Sequence, residues 1–341
     1  MKKGTSFKIY MPYLVITLLL LNTACKEKEP FLPPPEATPT VRVLFSISGL
    51  GDLSYNDNIL RGIMEEQKES SFQLEYVAPR DEAEAEEILH KWQANDDPLS
   101  YFTILAGSEF DALVRKSFSS DATHNYLMFD TRADDFPIPV LHFTGYGVSF
   151  LAGIAAYAQT KAEKAAYLGG QQHEVFIEEC YHGFRDGYLY AGGKEVAETY
   201  ISTTSMGFGM PQRAYEMADS LYKLYPFIYA MAGSSNNGVY QYLRDYPDNK
   251  YTAGIDVDQS AYSSQIIGSM IKEIDRCIRQ YIVWWLNGEE LPMRGWHTLE
   301  SGYMTFKIAD PYKKDLEKIV SENLQTAINK EKEYESNRQK E

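Results

Sequence analysis

Six short segments carry side chains suited to reading a small ligand: GLGDLSYND (49–57), AGSE (106–109), FDTRAD (129–134), LGG (168–170), AGSSNNG (232–238) and GIDVDQ (254–259). Their carboxylates accept hydrogen bonds, their amides and hydroxyls do both, and Tyr55 offers a flat face. Ordinary surface polarity explains any one such loop. Six of them, each closing an apolar strand, point to a ligand site built from strand ends.

Several kinds of chemistry are disfavoured. GLGDLS is a poor dinucleotide loop, because Ser54 stands where the third glycine belongs and Asp52 would repel a pyrophosphate. Asp52, Ser54 and Asn56 alternate as calcium ligands do, but the central glycine is missing and Ile63 occupies the place of the bidentate glutamate. Asp256 and Asp258 lack a histidine or third carboxylate at ligand spacing, so neither a metal nor a cofactor is expected. Histidines at 90, 124, 142, 173, 182 and 297 are scattered, and there is no GxSxG elbow and no cysteine set against a partner. Catalysis has no visible nucleophile.

The elements that position these loops alternate. Val41–Ile47, Phe72–Ala78, Tyr101–Ala106 and Tyr126–Phe129 read as strands, with amphipathic helices after the first three, opening near Asn56, Glu82 and Glu109. The pattern restarts with an apolar helix over 148–160 and strands at 165–168, 196–201, 227–232 and 251–255. A long helix is expected over 263–286 and a last one from Pro311, with Leu316, Ile319, Leu324 and Ile328 on one face before a frayed charged tail. Repeated strand–helix–strand order implies parallel, doubly wound sheets in two lobes. Expected boundaries are a first lobe of 41–143 with about 256–290, a second of 144–255 with about 291–328, and a tail over 329–341.

The N-terminus reads as a targeting segment, residues 1–24: Lys2 and Lys3, an apolar run from Ile9 to Leu21, then a small residue before Cys25. A run of about a dozen apolar residues is short of the roughly 20 needed to span a bilayer. The pattern is similar to a lipoprotein signal with Cys25 as the lipidated residue, although Asn22 stands where leucine is usual. Residues 25–40, charged and then proline-rich, make an extended tether. The chain is expected in a bacterial cell envelope, held to a membrane through lipid alone. A net charge of −15 without any basic run argues against nucleic acid and suits a neutral or cationic small ligand. Cys180 and Cys277 read as buried free thiols, although an oxidising compartment would let them pair.

Taken together the loops resemble the basic membrane protein (BMP) type of ABC-transporter substrate-binding lipoproteins, whose purine nucleoside receptor members bind nucleosides. GDLSYND is similar to the family's GDKSFND, FLAGIAAYAQTKAEKAAYLGG to its LAG helix, TK pair and GG-ended strand, HGFRDGY to its next helix, and GIDVDQ with SMIKEID to GVDxDQ and SmxKxvD. The resemblance implies a type I periplasmic-binding fold, two α/β lobes joined by a multi-crossing hinge, with no enzymatic activity and an ABC permease as partner. It also implies a ligand set. Tyr55 and Phe208 would stack on a base, with Asp52, Asn56 and Asp57 beside Tyr55, Asp130 near the base edge and Gly233 in the glycine loop. Asp256 and Lys272 would read ribose hydroxyls, with the lysine neutralising Asp256. The chain departs from the pattern at Met210, where an acidic residue is frequent, and in GSSNNG, which is less glycine-rich. Two other readings stay open: a calcium-dependent nucleoside hydrolase using Asp52, Asp57, Asp256 and Asp258, and a sensor or scaffold lipoprotein on the same fold.

Overall fold

A computed structural model of the protein describes residues 38–118, 125–131 and 136–338; the expected signal segment, Cys25 and most of the expected tether lie outside the described residues. Two six-stranded sheets make the frame. The first joins β1 (Thr40–Phe45), β2 (Gln73–Val77), β3 (Tyr101–Ala106), β4 (Tyr126–Phe129), β5 (Val140–Phe143) and a late strand, β11 (Arg294–His297), in the order β2-β1-β3-β4-β5-β11, all parallel. The second joins β6 (Lys164–Gln171), β7 (Glu195–Ser202), β8 (Phe227–Met231), β9 (Tyr251–Gly254), β10 (Ile266–Lys272) and β12 (Met304–Ile308) in the order β7-β6-β8-β9-β10-β12, with only β12 antiparallel. These are the doubly wound lobes of a type I periplasmic-binding fold.

The sequence reason is burial on both faces. β3, β4 and β5 read as near-continuous apolar runs because helices cover the sheet above and below. The edge strand β2 instead carries Gln73 and Glu75 exposed and Leu74 and Val77 half-buried. Strand order reverses between β1 and β3 and again between β6 and β8, and ligands of open α/β sheets bind beyond the strand ends at such points.

Helices α1 (Tyr55–Glu69), α2 (Glu82–Gln93) and α3 (Asp111–Ser117) belong with the first sheet. With the second go α4 (Tyr146–Thr160), α5 (Val175–Tyr190), α6 (Pro211–Leu221) and α7 (Asn236–Asp245). The LAG and HGFRDG motifs serve packing: α4 and α5 touch backbone to backbone, so that a Cβ at Gly153 would lie 2.3 Å from the Phe184 carbonyl and one at Gly187 2.0 Å from that of Phe150. Cys180 and Cys277 are buried free thiols.

Two expectations are corrected. The segment expected as one helix over 263–286 divides into β10 and α8 (Ile274–Leu286). Ile266, Ile267, Met270 and Ile274 fit a helical spacing, but a strand buried on both faces shows no alternation that would distinguish it. The lobe boundaries move accordingly: β10, expected with the first lobe, pairs in the second sheet, and β11, expected with the second, pairs in the first. The chain therefore crosses between sheets after β5, after β10 and after β11.

The expected frayed tail is helical as far as Arg338. After α9 (Lys313–Glu322), α10 (Leu324–Arg338) continues the chain, leaving Leu324 exposed and burying Glu331. Glu331 accepts from the Thr144 hydroxyl at 2.8 Å, from Gly147 N at 3.1 Å and from Leu299 N at 3.1 Å, so one carboxyl braces the first and third crossings. Glu331→Ala is expected to lower unfolding stability by about 2 kcal/mol or more, since it strands buried donors; a urea midpoint equal to wild type would contradict this brace.

Candidate functional site

Between the lobes lies a cleft of about 690 Å³ of atom-free space, part of it open to solvent. All six of the polar segments contribute to it or adjoin it: Asp52 and Tyr55 after β1, Ser108 and Glu109 after β3, Asp130 after β4, Gln171 at the end of β6 with Glu174 beyond it, Gly233 after β8, and Asp256 after β9. Phe208 reaches it from a short 3-10 turn, Ser205–Gly209, and Lys272 from the end of β10.

The loop after β1 is organised by its own aspartates. Asp52 is buried and accepts from Ser54 N (2.9 Å), Asn56 N (2.8 Å) and Asp57 N (3.1 Å), satisfying free donors at the start of α1. Burial pushes its pKa up to about 6 in spite of those bonds. Asp57 turns back onto Gly51 N (2.8 Å) and Leu53 N (2.9 Å), and Asn56 donates to the Gly49 carbonyl (2.7 Å) and Ser48 Oγ (3.2 Å). Asn56 and Asp57, expected among the ligand contacts, do not line the cleft; they hold the loop that presents Tyr55.

Asp130 and Asp256 end β4 and β9 with φ of 60° and 61°, a left-handed conformation that aspartate tolerates better than most residues. Both turn buried carboxylates toward Lys272. The ammonium, 2 % exposed, bonds Asp130 Oδ2 at 3.2 Å and lies 3.7 Å from the centroid of Phe176. Its direct partner is therefore Asp130 rather than Asp256, whose Oδ2 accepts from Ser54 Oγ. Burial alone would lower the lysine pKa, but Asp130 and Asp256 together outweigh it and the net shift is upward. Desolvation raises Asp256 despite Lys272 and Ser54. The Tyr55 hydroxyl and Asp130 Oδ1 are buried without a hydrogen bond of acceptable geometry; burial first, and Asp130 second, drive the tyrosine pKa well upward.

Phe208 is seated by the serines of GSSNNG. Ser234 Oγ donates to the Phe208 carbonyl (2.8 Å) and Ser235 Oγ to that of Gly207 (2.7 Å), while the ring lies where a Cβ on Gly170 would be 2.4 Å from its Cδ1. The two lobes are tied across the cleft by Ser54–Asp256, by Asp130–Lys272, by Ser108 Oγ to Glu174 Oε1 at 3.0 Å, and by Gln259 Nε2 to the Leu53 carbonyl at 3.2 Å.

Residues 40–339 match the Bmp family, described as "ABC transporter substrate-binding protein PnrA-like". The chain belongs to the Bmp family. Among similar proteins, Basic membrane protein C of Borreliella burgdorferi (strain ATCC 35210 / DSM 4680 / CIP 102532 / B31) is 23% identical over 292 residues, covering 79% of this chain and 79% of that one. Basic membrane protein D of Borreliella burgdorferi (strain JD1) is 29% identical over 164 residues, 46% of this chain; the match spans about half of that relative's length, 47%. Of solved structures, an ABC transporter system solute-binding protein from Aeropyrum pernix K1 superposes with a TM-score of 0.69 at 20% identity, over 84% of this chain and 80% of that chain. GanP, a glucose-galactose binding protein from Geobacillus stearothermophilus, gives 0.60 at 20% identity, over 82% and 99%. At these identities the structures bear on fold alone.

In this Bmp chain seven of the nine expected ligand residues share one cleft: Asp52, Tyr55, Asp130, Phe208, Gly233, Asp256 and Lys272. Sequence reasoning missed Phe176, Glu174 and the role of Glu109. AGSE was visible as a strand-end loop, but Glu174 and Phe176 follow β6 by several residues and carry no local signature. The four carboxylates of the hydrolase reading do not converge: Asp57 is held by loop amides, and Asp258 pairs with Lys307 at 2.7 Å, outside the residues lining the cleft.

Proposed function

We propose that this Bmp-family protein is a lipid-anchored receptor, tethered at Cys25, that closes over a nucleoside, purine favoured, and delivers it to an ABC-type permease. The observation that carries this reading is one interlobe cleft lined by an aromatic from each lobe, Tyr55 and Phe208, together with the buried Asp130–Lys272 pair and Asp256. Flat bases suit aromatic faces, at about 1 to 3 kcal/mol per stacked base, and sugar hydroxyls suit a carboxylate beside an ammonium. The surplus of carboxylates over lysine favours an uncharged nucleoside over a nucleotide. Bonds across the cleft give closure a physical basis, because a ligand contacting both lobes binds the closed arrangement better and shifts the population toward it.

Thermal unfolding of the mature chain with nucleosides, free bases and sugars tests the reading. At 100 times its Kd a nucleoside is expected to add about 2.7 kcal/mol of stability. No stabilisation by any nucleoside at millimolar concentration would overturn it.

A further inference from the structure

Among the described residues the cleft wall is rich in acceptors: five carboxylates line it, Asp52, Glu109, Asp130, Glu174 and Asp256, with one ammonium, Lys272. That ammonium is already engaged by Asp130 Oδ2. The protein's own donors serve part of the rest: three backbone amides hold Asp52, Ser54 Oγ serves Asp256, Ile47 N reaches Glu109 Oε1 at 3.2 Å with Ser46 also near that carboxyl, and Ser108 Oγ and Ile177 N serve the two oxygens of Glu174 at 3.0 and 2.8 Å. Asp130 Oδ1, on a side chain only 10% exposed, has the Tyr55 hydroxyl near it but no hydrogen bond in good geometry. A carboxylate oxygen accepts more than one hydrogen bond, and a buried acceptor left without a donor is costly. The acceptor capacity left at Asp130, Glu109 and Glu174 is what a donor-bearing ligand would fill.

We propose that Glu109 from the first lobe and Glu174 from the second, acting with Asp130, form an amine-reading end of the cleft that selects a ligand bearing an amino group over its counterpart bearing an oxo group. The inference rests on the nucleoside reading for the rest of the ligand. An amino group brings donors to surplus acceptors. An oxo group brings another acceptor and faces like partial charge. The electrostatics agree: burial raises both carboxyls, Glu174 to about 7, and Asp130 raises each further, an effect that Lys272 only partly offsets at Glu174. Glu109 and Glu174 lie on loops after β3 and β6, the two strands at which order reverses, so both lobes must be closed for both to meet one amine.

The test is calorimetric titration of the mature chain at pH 8, where Glu174 is ionised, with pairs differing only in this group: adenosine and inosine, cytidine and uridine, glucosamine and glucose. The amino member is expected to bind about tenfold or more tighter. In Glu109→Gln/Glu174→Gln the preference should fall toward unity; glutamine keeps an acceptor for Ile177 N, and circular dichroism checks the fold. Should the double variant not fold, Glu109→Gln alone is expected to reduce the preference. Equal binding within each pair, preference for the oxo member, or a preference unchanged in the variants would overturn the amine assignment while leaving the nucleoside receptor standing. Binding by glucosamine alone would keep the amine assignment and remove the nucleoside. No binding by any of the six compounds would remove both.

Discussion

Asp256→Ala is expected to weaken nucleoside binding by about 100-fold or more, because it removes a buried carboxylate whose surroundings are arranged around its charge. Three local contributions lead to that magnitude. The substitution leaves Ser54 Oγ without its buried acceptor across the cleft, removes one of the two aspartates that keep Lys272 charged, and deletes the group proposed to read ribose. The backbone bond from Lys272 N to the Asp256 carbonyl, 3.0 Å, survives, so the strand end should keep its place and the loss should fall on affinity more than on fold. Phe208→Ala is expected to cost less, about 1 to 3 kcal/mol for one stacking face. Asp219→Ala, at an exposed pair with Lys223, serves as control and should leave affinity unchanged. Calorimetric titration of the three variants distinguishes these outcomes; wild-type affinity in both Asp256→Ala and Phe208→Ala would show that the ligand binds elsewhere.

The unliganded protein is expected to lose stability as pH rises from about 4 to 7. Three carboxyls have pKa values raised by burial in the folded state: Glu331 to about 7, Glu174 to about 7 and Asp52 to about 6, from unfolded values of 4.5, 4.5 and 3.8. The groups around them do not reverse the sign. Glu335 stands near Glu331 and Asp57 near Asp52, both raising the shift, and Lys272 only partly offsets Asp130 at Glu174. Between the unfolded and folded values the native state holds more protons, so unfolding free energy falls with pH. Each group contributes stability that is complete below its unfolded pKa and gone above its folded one. The combined loss is on the order of several kcal/mol. Asp258, lowered to about 2 by Lys307 and Ser260 against its desolvation, acts in the opposite direction below pH 4, and His297, lowered by burial to about 4, opposes the trend inside the window, one imidazole against three carboxyls. Urea midpoints measured between pH 4.5 and 8 should decline and then level, and Glu331→Gln with Glu174→Gln should flatten the curve. Stability rising over that range would show that these carboxyls are ionised in the fold.

By itself the sequence determined the two-lobed α/β frame and the strand-end loops, while Phe208 and Lys272 entered through the family resemblance. Local physics suffices for that: strands buried on both faces are apolar runs, loops at their ends are polar, and GDLSYND and GIDVDQ sit where a ligand would meet them. The tertiary structure decided what pairs with what. The sequence showed Asp52, Asn56 and Asp57 as one cluster, yet only the fold divides it, sending Asp52 to the helix start and Asp57 to its own loop, while Tyr55 is the residue of this loop that presents a ring to the cleft. Lys272 lies 142 residues from Asp130, and no spacing in the chain reveals that its ammonium prefers that partner to Asp256. β10 read as helix because a doubly buried strand has no period of its own, and the C-terminal segment read as frayed because Glu331 is charged in sequence but has three donors waiting in the hinge. Those donors come from parts of the chain brought together only when both sheets are complete, so the carboxyl that braces the crossings, like the Glu109 and Glu174 that face each other's lobes, could be recognised only in the folded molecule.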